Sequence, residues 1–296
     1  MNYKKWIKLN CFDLTQKTAI ITGSTGGLGK EICKTLVFLN CNLILVNRNL
    51  EKTEKQKQEL LKLNNNVKIE TIQLDLSVIE QVIKVTNQLK TIKFDYLIHN
   101  AGVYNIPLTK CSSGYNNIFT TNFISPYYLT TSLIDNLKTN NTKTIIVSSI
   151  AHNYSKIDVN DIDFSKYKKS SKIYGNSKRF LTFGLMELFK QNNYANYAIC
   201  HPGITLTNMT NHYPKAINWL VKIGIKLLFP NPQMACLNII KAIFDTTTQN
   251  QWIGPKVFNI WGKPAKKQFN TCTQQEKEEI FNISQNLFNN IKKTDC

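Results

Sequence analysis

The segment TAIITGSTGGLG, residues 18–29, joins a short apolar run to a glycine-rich turn. Four of the chain's 12 glycines fall within residues 22–29. The apolar run predicts a buried strand, and the pattern of residues 28–39 predicts a helix directly after the turn. Glycine is needed where a strand turns sharply into a helix and a diphosphate approaches the backbone, because the helix N-terminus supplies the N–H donors. The segment therefore predicts a phosphate-binding turn rather than an ordinary surface loop.

Apolar strand-like runs alternate with helical patterns along the rest of the chain. Strands are predicted at residues 18–22, 43–46, 67–74, 94–98, 144–148, 197–200 and 256–261. Helices are predicted at residues 28–39, 50–63, 78–89, 115–137, 174–190 and 274–290, and a further helix after residue 232 ends at about residue 247. Such alternation is typical of a parallel sheet covered by helices on both faces. We predict one doubly wound, Rossmann-type α/β domain over residues 1–296, with about seven parallel strands. Residues 1–17 and 262–296 are expected to be terminal extensions.

The composition limits the classes of function. A formal charge of +18 suggests nucleic acid as a partner, but only two of the 37 basic residues are arginine. The lysines are spread along the chain, and there is no arginine-rich arm, RNP-like motif or zinc finger, so we expect no specific nucleic-acid partner. A protein that binds other molecules through its basic surface stays open as an alternative.

Cysteines and apolar runs suggest the compartment. The 8 cysteines stand singly, without a CxxC pair or a histidine at metal spacing, so reduced thiols are expected and neither disulfides nor a metal site. No apolar run reaches the roughly 18 residues of a membrane-spanning helix, and the N-terminus lacks a signal-peptide pattern. A cytoplasmic protein is predicted, with peripheral membrane contact left open.

The glycine spacing is TGxxxGxG, and its key glycines are Gly23, Gly27 and Gly29. In this spacing the chain resembles the short-chain dehydrogenase/reductase family, in its single-domain branch. Further motifs of that family follow in the family's order: HNAG at 99–102, a serine at 149, YxxxK at 174–178, and HPG at 201–203. The resemblance implies an enzyme that transfers a hydride between a nicotinamide cofactor and a carbonyl or alcohol. Sugar-nucleotide epimerases, whose spacing is TGxxGxxG, are disfavoured.

The end of the second predicted strand suggests which nicotinamide cofactor is used. A carboxylate there usually holds the free 2′-hydroxyl of NAD, whereas a cation suits the 2′-phosphate of NADP. This sequence has Asn47 followed by Arg48, so we predict a preference for NADP(H), with NAD(H) as the alternative. The resemblance implies these cofactor-binding residues: Gly23, Ser24, Thr25, Gly27, Leu28, Gly29, Asn47, Arg48, Asp75, Leu76, Asn100, Ala101, Gly102, Tyr174, Lys178, Pro202, Gly203, Ile204 and Thr207. His99 is expected to be a packed side chain rather than a catalyst.

Tyr174 and Lys178 share one face of a predicted helix because they are four residues apart. A free tyrosine, with a pKa near 10, is a poor base at neutral pH, and a nearby ammonium lowers that pKa. We assign Tyr174 as general acid/base and Lys178 as the group that modulates its pKa, which in the family also binds the nicotinamide ribose. Ser149 is expected to stabilise the substrate oxygen; Ser148 is its rival, but the family's catalytic serine is the second of such a pair. Asn122 matches the asparagine of the family's proton relay.

The substrate is less well defined. Residues 208–232 are interpreted as a mobile lid over an apolar substrate, an interfacial basic helix, or plain core packing. Residues 149–157 and 174–178 are similar to the retinol-dehydrogenase-like branch of the family, which implies a small or lipophilic apolar substrate. The family also implies a homodimer formed through the long helices before and at YxxxK. A catalytically silent regulator that senses the cofactor is the non-enzymatic alternative.

Overall fold

The computed structural model describes residues 2–155, 161–164, 169–204, 230–248 and 250–293. Within them, eight strands form one sheet in the order β3-β2-β1-β4-β5-β6-β7-β8. The strands are β1 (Thr18–Thr22), β2 (Asn42–Asn47), β3 (Ile69–Gln73), β4 (Tyr96–His99), β5 (Lys143–Val147), β6 (Tyr197–Cys200), β7 (Gln251–Val257) and β8 (Trp261–Gln268). The first seven are parallel, and β8 pairs antiparallel with β7. The α/β class and the Rossmann-type parallel sheet are confirmed.

Helices connect the strands and cover the sheet. They are α1 (Tyr3–Asn10), α2 (Gly27–Phe38), α3 (Leu50–Leu61), α4 (Ile79–Leu89), α5 (Asn117–Phe119), α6 (Ser125–Thr139), α7 (Ser170–Gln191), α8 (Pro232–Phe244) and α9 (Gln274–Lys293). A π-helical turn, Thr120–Ile124, joins α5 to α6, and a 3₁₀ turn, Ile150–Tyr154, follows β5. No helix among these described residues is long and apolar enough to cross a membrane.

Alternate residues of each strand bury their side chains on opposite faces of the sheet. In β1, Ile20 packs into the apolar cluster formed with α4, α6, α7 and α9. Its neighbours Ala19 and Ile21 pack into the cluster formed with α1, α2 and α8. β1 is therefore apolar on both faces, which explains why it appears in the sequence as a continuous apolar run.

The C-terminal part of the chain differs from the sequence prediction. Residues 256–261, predicted as a strand, contain the turn between β7 and β8, because Phe258 and Asn259 both adopt positive φ angles of 49° and 59°. The hairpin adds an antiparallel edge strand that the alternation of strands and helices did not predict. Of the proposed lid, residues 208–229 lie outside the described part of the chain, and α8 begins at Pro232.

Helix α9 covers the two helices through which the expected homodimer would form. On α7, a side chain added at Gly184 would lie 3.1 Å from Ser284 Oγ and 3.5 Å from Ile280. On α6, Tyr127 Oη accepts a hydrogen bond of 2.8 Å from Gln285 Nε2 of α9. A dimer through α6 and α7 would have to displace α9, so this geometry argues against that mode of pairing.

The packing of α9 predicts that it contributes to global stability. Ile280 is fully buried against α7, and Ile280→Ala should lower the free energy of unfolding by about 3 kcal/mol, because it removes buried apolar surface and leaves a cavity. Exposed Glu279, its neighbour on the same helix, is the control, and Glu279→Ala should change that free energy by less than about 0.5 kcal/mol. Urea unfolding followed by circular dichroism measures both. Equal stability of the two variants would mean that α9 is not docked as described.

Candidate active site

The glycine turn lies where the sheet order reverses direction, between β1 and β4. Gly23 has a φ of +69°, and a side chain there would lie 2.7 Å from the Cα of Ala101 in the loop after β4. Gly29, in the first turn of α2, is as constrained, because its side chain would lie 2.3 Å from the Gly23 carbonyl oxygen. In open α/β sheets, ligands bind outside the carboxyl ends of the strands at such a reversal.

Hydrogen bonds hold the two loops at this reversal together. The Asn100 amide donates to the carbonyl oxygens of Thr22 and Gly23, at 3.1 and 3.0 Å. The Thr22 hydroxyl accepts a bond of 3.1 Å from the Ala101 backbone N–H. The family motif around Asn100 therefore builds the cleft through its side-chain amide as well as through its small residues.

Ser24 and Asn47 belong to a buried network that shapes the turn. Asn47 Nδ2 donates to Ser24 Oγ at 2.7 Å, and Ser24 Oγ donates to Gln56 Oε1 at 2.9 Å. Asn47 Oδ1 also accepts a long bond of 3.4 Å from the Thr25 N–H. The Ser24 hydroxyl thus points to α3 and not into the cleft, which differs from the predicted cofactor contact. Gln56, which α3 supplies from 32 residues away, had no recognisable signal in the sequence.

Arg48 stands at the edge of the cleft beside Asp75. Its side chain is 78% exposed, and its Nε lies 3.8 Å from Asp75 Oδ2. The other oxygen, Asp75 Oδ1, accepts bonds from the backbone N–H and hydroxyl of Ser77, at 2.9 and 2.7 Å. An ion pair so exposed contributes little to stability, so the guanidinium is available to an anion.

One cleft of about 1730 Å³ runs along the carboxyl edge of the sheet. It is lined by most of the predicted site residues: Gly23, Thr25, Gly27, Leu28, Gly29, Asn47, Arg48, Asp75, Leu76, Asn100, Ala101, Gly102, Ser149, Tyr174, Lys178, Pro202, Gly203 and Ile204. Ser24 and Asn122 are buried behind its wall, and Thr207 lies outside the described residues. No group of His, Cys, Asp and Glu within the described ranges could hold a metal ion.

Tyr174 and Ser149 both line this cleft. The Ser149 hydroxyl lies near enough to the phenol of Tyr174 to lower its pKa. The adjacent Ser148 is buried, and its hydroxyl is 2.6 Å from Thr182 Oγ1 inside the core. Both serines line the cleft, but the Ser148 hydroxyl already has a partner in Thr182, which favours Ser149 as the contact of a molecule in the cleft.

Lys178 approaches the same point from the next turn of α7. Its Nζ donates to the Val147 carbonyl oxygen at 2.9 Å, at the end of β5. A side chain added at Gly102 would lie 3.4 Å from Lys178 Nζ and 3.5 Å from Asn122 Oδ1. Gly102 thus leaves open the space that separates the ammonium from the Asn122 amide.

Asn122 occupies the π-helical turn and holds the loop that follows β4. Its amide donates to the Val103 carbonyl oxygen at 2.9 Å, and its Oδ1 accepts the Val103 N–H at 2.8 Å. It also donates to Ser177 Oγ at 3.1 Å, one residue before Lys178 on α7. π-Helical turns are rare in proteins overall, and those that occur are often found at functional sites. This one places Asn122 between the cleft loop and α7.

Burial controls the protonation of the two central groups. It raises the pKa of Tyr174 to about 12, although the nearby Ser149 hydroxyl acts in the opposite direction. Burial also lowers the pKa of Lys178 to about 8. Near neutral pH the phenol is therefore protonated, and the ammonium lies close to its titration range, where an added negative charge would hold it charged.

Two buried histidines, His99 and His152, are not placed to act as acids or bases in the cleft. His99 Nε2 is 2.8 Å from Thr130 Oγ1, and burial lowers its pKa to about 3. This confines it to the core as the sequence predicted. His152 contacts the Ser149 carbonyl oxygen through Nδ1 and is held neutral in the same way, with a pKa of about 4.

Arg179 forms a clamp behind the cleft that sequence reasoning missed. The side chain is buried, and it donates to Glu276 Oε1 on α9 at 2.7 Å and to the His152 carbonyl oxygen at 2.7 Å. Since His152 contacts Ser149, the clamp connects α9 to the loop that carries Ser149. The signal was present in the sequence, because Arg179 is one of only two arginines.

Tyr104 is a second residue that sequence reasoning missed. Its ring meets that of Tyr174 edge to face, with centroids 4.9 Å apart, and it lines the cleft. Its position directly after the HNAG motif, at the carboxyl edge of the sheet, is the signal that could have identified it. Gly203, at the other end of the cleft, has a φ of +88° and packs close to Ile260 and Pro255 of the β7–β8 hairpin.

The close approach at the turn predicts a sharp difference between two glycines. Gly29→Ala should lower the free energy of unfolding by about 2 kcal/mol or more, because its new methyl group would overlap backbone atoms of the turn. Gly26→Ala is the matched control: its methyl group would meet only the Gly23 carbonyl oxygen, at 3.5 Å, and its backbone is extended. Urea unfolding of both variants tests this, and similar losses at the two positions would contradict the described turn.

Known proteins resemble this chain in sequence and in fold. The family model described as short chain dehydrogenase matches residues 17–218. The short-chain dehydrogenase TIC 32 A of Brassica napus is 32% identical over 218 residues, covering 68% of this chain and 67% of the relative. Human polyprenol dehydrogenase is 26% identical, covering 72% and 66%, and human retinol dehydrogenase 13 is 29% identical, covering 66% and 61%.

Two solved structures share the fold. An uncharacterized protein from Mycobacterium paratuberculosis has a TM-score of 0.73 at 20% identity, covering 94% of this chain and 95% of that one. A short-chain dehydrogenase from Sphingobium yanoikuyae, in complex with NADPH, has a TM-score of 0.58 at 19% identity, covering 76% and 83%. Together with the turn, the cleft and the Ser149–Tyr174–Lys178 arrangement, these matches show that the chain belongs to the short-chain dehydrogenase family of NAD(P)-dependent oxidoreductases.

Proposed function

We propose that this protein is an NADP(H)-dependent oxidoreductase that interconverts a carbonyl and an alcohol on a small or lipophilic apolar substrate. The observation that carries this proposal is that Ser149, Tyr174 and Lys178 line one cleft together, with Lys178 one helical turn from Tyr174. A protein that only senses the cofactor would not need a hydroxyl, a phenol and an ammonium in the same cleft.

The residues of the cleft fit a dinucleotide. Gly23 and Gly29 bring the backbone of the turn to the surface, and the N-terminus of α2 offers N–H donors to a diphosphate. Gly102, Pro202 and Gly203 would lie along the part that receives the nicotinamide riboside. When bound, the nicotinamide supplies or accepts the hydride.

The protein's own groups handle the proton and the developing charge. Tyr174 is protonated near neutral pH and donates its proton to the carbonyl oxygen in reduction, or accepts it in oxidation. The Ser149 hydroxyl donates a hydrogen bond to the same oxygen and stabilises its negative charge. Lys178, charged when a phenolate forms beside it, lowers the cost of that phenolate, and Asn122 holds the loop that faces both groups.

The preference for NADP(H) rests on the cations at one end of the cleft. Arg48 is exposed there, and Lys52, which the sequence analysis did not single out, lines the same end. A guanidinium binds a phosphate through two parallel N–H donors. Asp75 Oδ1 is hydrogen-bonded to Ser77, so only Asp75 Oδ2, at 3.8 Å from Arg48 Nε, would compete with a phosphate for the guanidinium.

The apolar substrate is supported by the walls of the cleft around Tyr174. Tyr104, Ile106, Ile150 and Tyr154 line it on that side. Two relatives, by their names, act on polyprenol and on retinol. We propose an apolar alcohol of that kind as the substrate class of this protein. Its proposed location is the cytoplasm, on the basis of the cysteine pattern.

Removing one hydroxyl tests the catalytic assignment. Tyr174→Phe should lower kcat by roughly a hundredfold or more, because the proton donor is lost. Binding of NADPH, measured by nicotinamide fluorescence, should stay unchanged. Tyr96→Phe, a tyrosine on β4 outside the cleft, is the matched control and should keep its activity. Retained turnover in Tyr174→Phe would overturn the assignment.

A charge substitution tests the cofactor preference. The wild-type protein should bind NADPH much more tightly than NADH, and Arg48→Gln should weaken NADPH binding by about tenfold or more, because charge-assisted hydrogen bonds to the 2′-phosphate are lost. Affinity for NADH should change little. Lys55→Gln, an exposed cation on α3 outside the cleft, is the control. Equal dissociation constants of NADPH and NADH for the wild type would discard the argument from Arg48.

A further inference from the structure

The tip of the β7–β8 hairpin, residues 256–263, carries an aromatic ring in an unfavourable backbone conformation. Phe258 and Asn259 both have positive φ angles, and the Ile260 N–H donates to the Val257 carbonyl oxygen at 3.0 Å, which closes the turn. Such turns favour Asn, Asp and Gly, since a bulky residue with positive φ is strained. The Phe258 side chain is nevertheless 81% exposed. A strained backbone that exposes an aromatic ring to water indicates that the ring contacts another molecule.

Two further apolar side chains stand beside Phe258. Val257 and Trp261 face each other across the two strands, and they are 45% and 40% exposed. The hairpin tip therefore presents a small apolar surface in which two of the three side chains are aromatic. Exposed apolar groups that are clustered mark contact sites more often than scattered ones do.

The charged residues of the hairpin itself are all lysines. Residues 246–275 contain four lysines and no aspartate or glutamate. Lys256 and Lys263 are exposed and flank the apolar side chains directly. Lys266 Nζ lies 3.8 Å from Asp245 Oδ2, and Lys267 Nζ is hydrogen-bonded to Asn259 Oδ1. These two lysines therefore already have partners within the protein.

The hairpin tip also adjoins the cleft. A side chain added at Gly203 would lie 3.1 Å from both the Ile260 carbonyl oxygen and Pro255 Cγ. Gly203 and Ile204 line the same cleft as Tyr174 and Lys178. A surface that covers the tip would therefore lie next to one end of the cleft.

We propose that the hairpin tip docks on the surface of a bilayer that contains anionic lipids. Phe258, Trp261 and Val257 enter the headgroup region, where aromatic side chains are favoured, and Lys256 and Lys263 lie against the lipid phosphates. Acidic phospholipid complements both features of the tip, its exposed apolar side chains and the two exposed lysines that flank them. This docking is independent of turnover, and it gives the cleft access to molecules dissolved in the membrane.

Vesicle co-sedimentation with the purified full chain tests the docking. The protein should sediment with vesicles of mixed phosphatidylcholine and phosphatidylglycerol, and it should do so less with phosphatidylcholine alone. Added salt should weaken the binding, because lysines and lipid phosphates attract each other through screened charges. No sedimentation with the mixed vesicles, or equal and salt-independent binding to both kinds, would overturn the proposal.

Substitutions in the hairpin tip locate the contact. The double variant Phe258→Asn and Trp261→Gln should bind mixed vesicles at least about tenfold more weakly, because both aromatic anchors are lost. Asn tolerates positive φ, so the turn should fold at least as readily as in the wild type. Phe38→Asn, at an exposed phenylalanine on α2, is the matched control and should bind like the wild type.

The lysines are tested in the same way. Lys256→Gln with Lys263→Gln should weaken binding and reduce its dependence on salt, whereas Lys55→Gln with Lys62→Gln on the α3 side should not. Unchanged binding of both hairpin variants would assign the contact elsewhere on the basic surface and overturn the proposal. If the full chain binds neither kind of vesicle and its hairpin tip instead binds another protein, the proposal is overturned as well.

Discussion

The two loops that follow β1 and β4 approach each other until Gly23 and Ala101 are in direct contact, and the geometry of the cleft depends on that approach. A single added methyl group at Gly23 would lie 2.7 Å from the Ala101 backbone, so no other residue type fits there without movement. The approach is stabilised by the Asn100 amide, which bonds to two carbonyl oxygens of the turn. The first residues of α2 line the cleft, and the N-terminus of a helix offers N–H donors that suit an anion.

Burial decides the chemistry at the other end of the cleft. Tyr174 and Lys178 are both buried, and no described residue forms an ion pair with either, so the pKa of the phenol is raised and the pKa of the ammonium is lowered. The neutral phenol is a proton donor at ordinary pH, and the lysine gains its full effect only when negative charge develops nearby. The π-helical turn that holds Asn122 keeps the facing loop at a defined distance from both groups.

The C-terminal part of the chain supports the site from behind. Arg179 follows Lys178 directly, and its guanidinium bonds to Glu276 of α9 and to the His152 carbonyl oxygen. Removing one partner of such a buried pair leaves an uncompensated charge, which makes the clamp sensitive to disruption. α9 thus takes part in positioning the loop of Ser149 and, by covering α6 and α7, it occupies the surface that an expected dimer would use.

By itself, the sequence determined the parallel α/β sheet, the phosphate-binding turn and the likeness of Tyr174 and Lys178 to a catalytic pair, because periodicity, glycine spacing and i,i+4 spacing are local properties of the chain. Only the tertiary structure decided that the Ser148 hydroxyl pairs with Thr182, that Ser24 turns away towards Gln56, and that Arg179 reaches α9. It also placed a turn at Phe258 where apolar residues predicted a strand. These features depend on contacts between residues far apart in the chain, and no local pattern of side chains specifies which of those contacts will form.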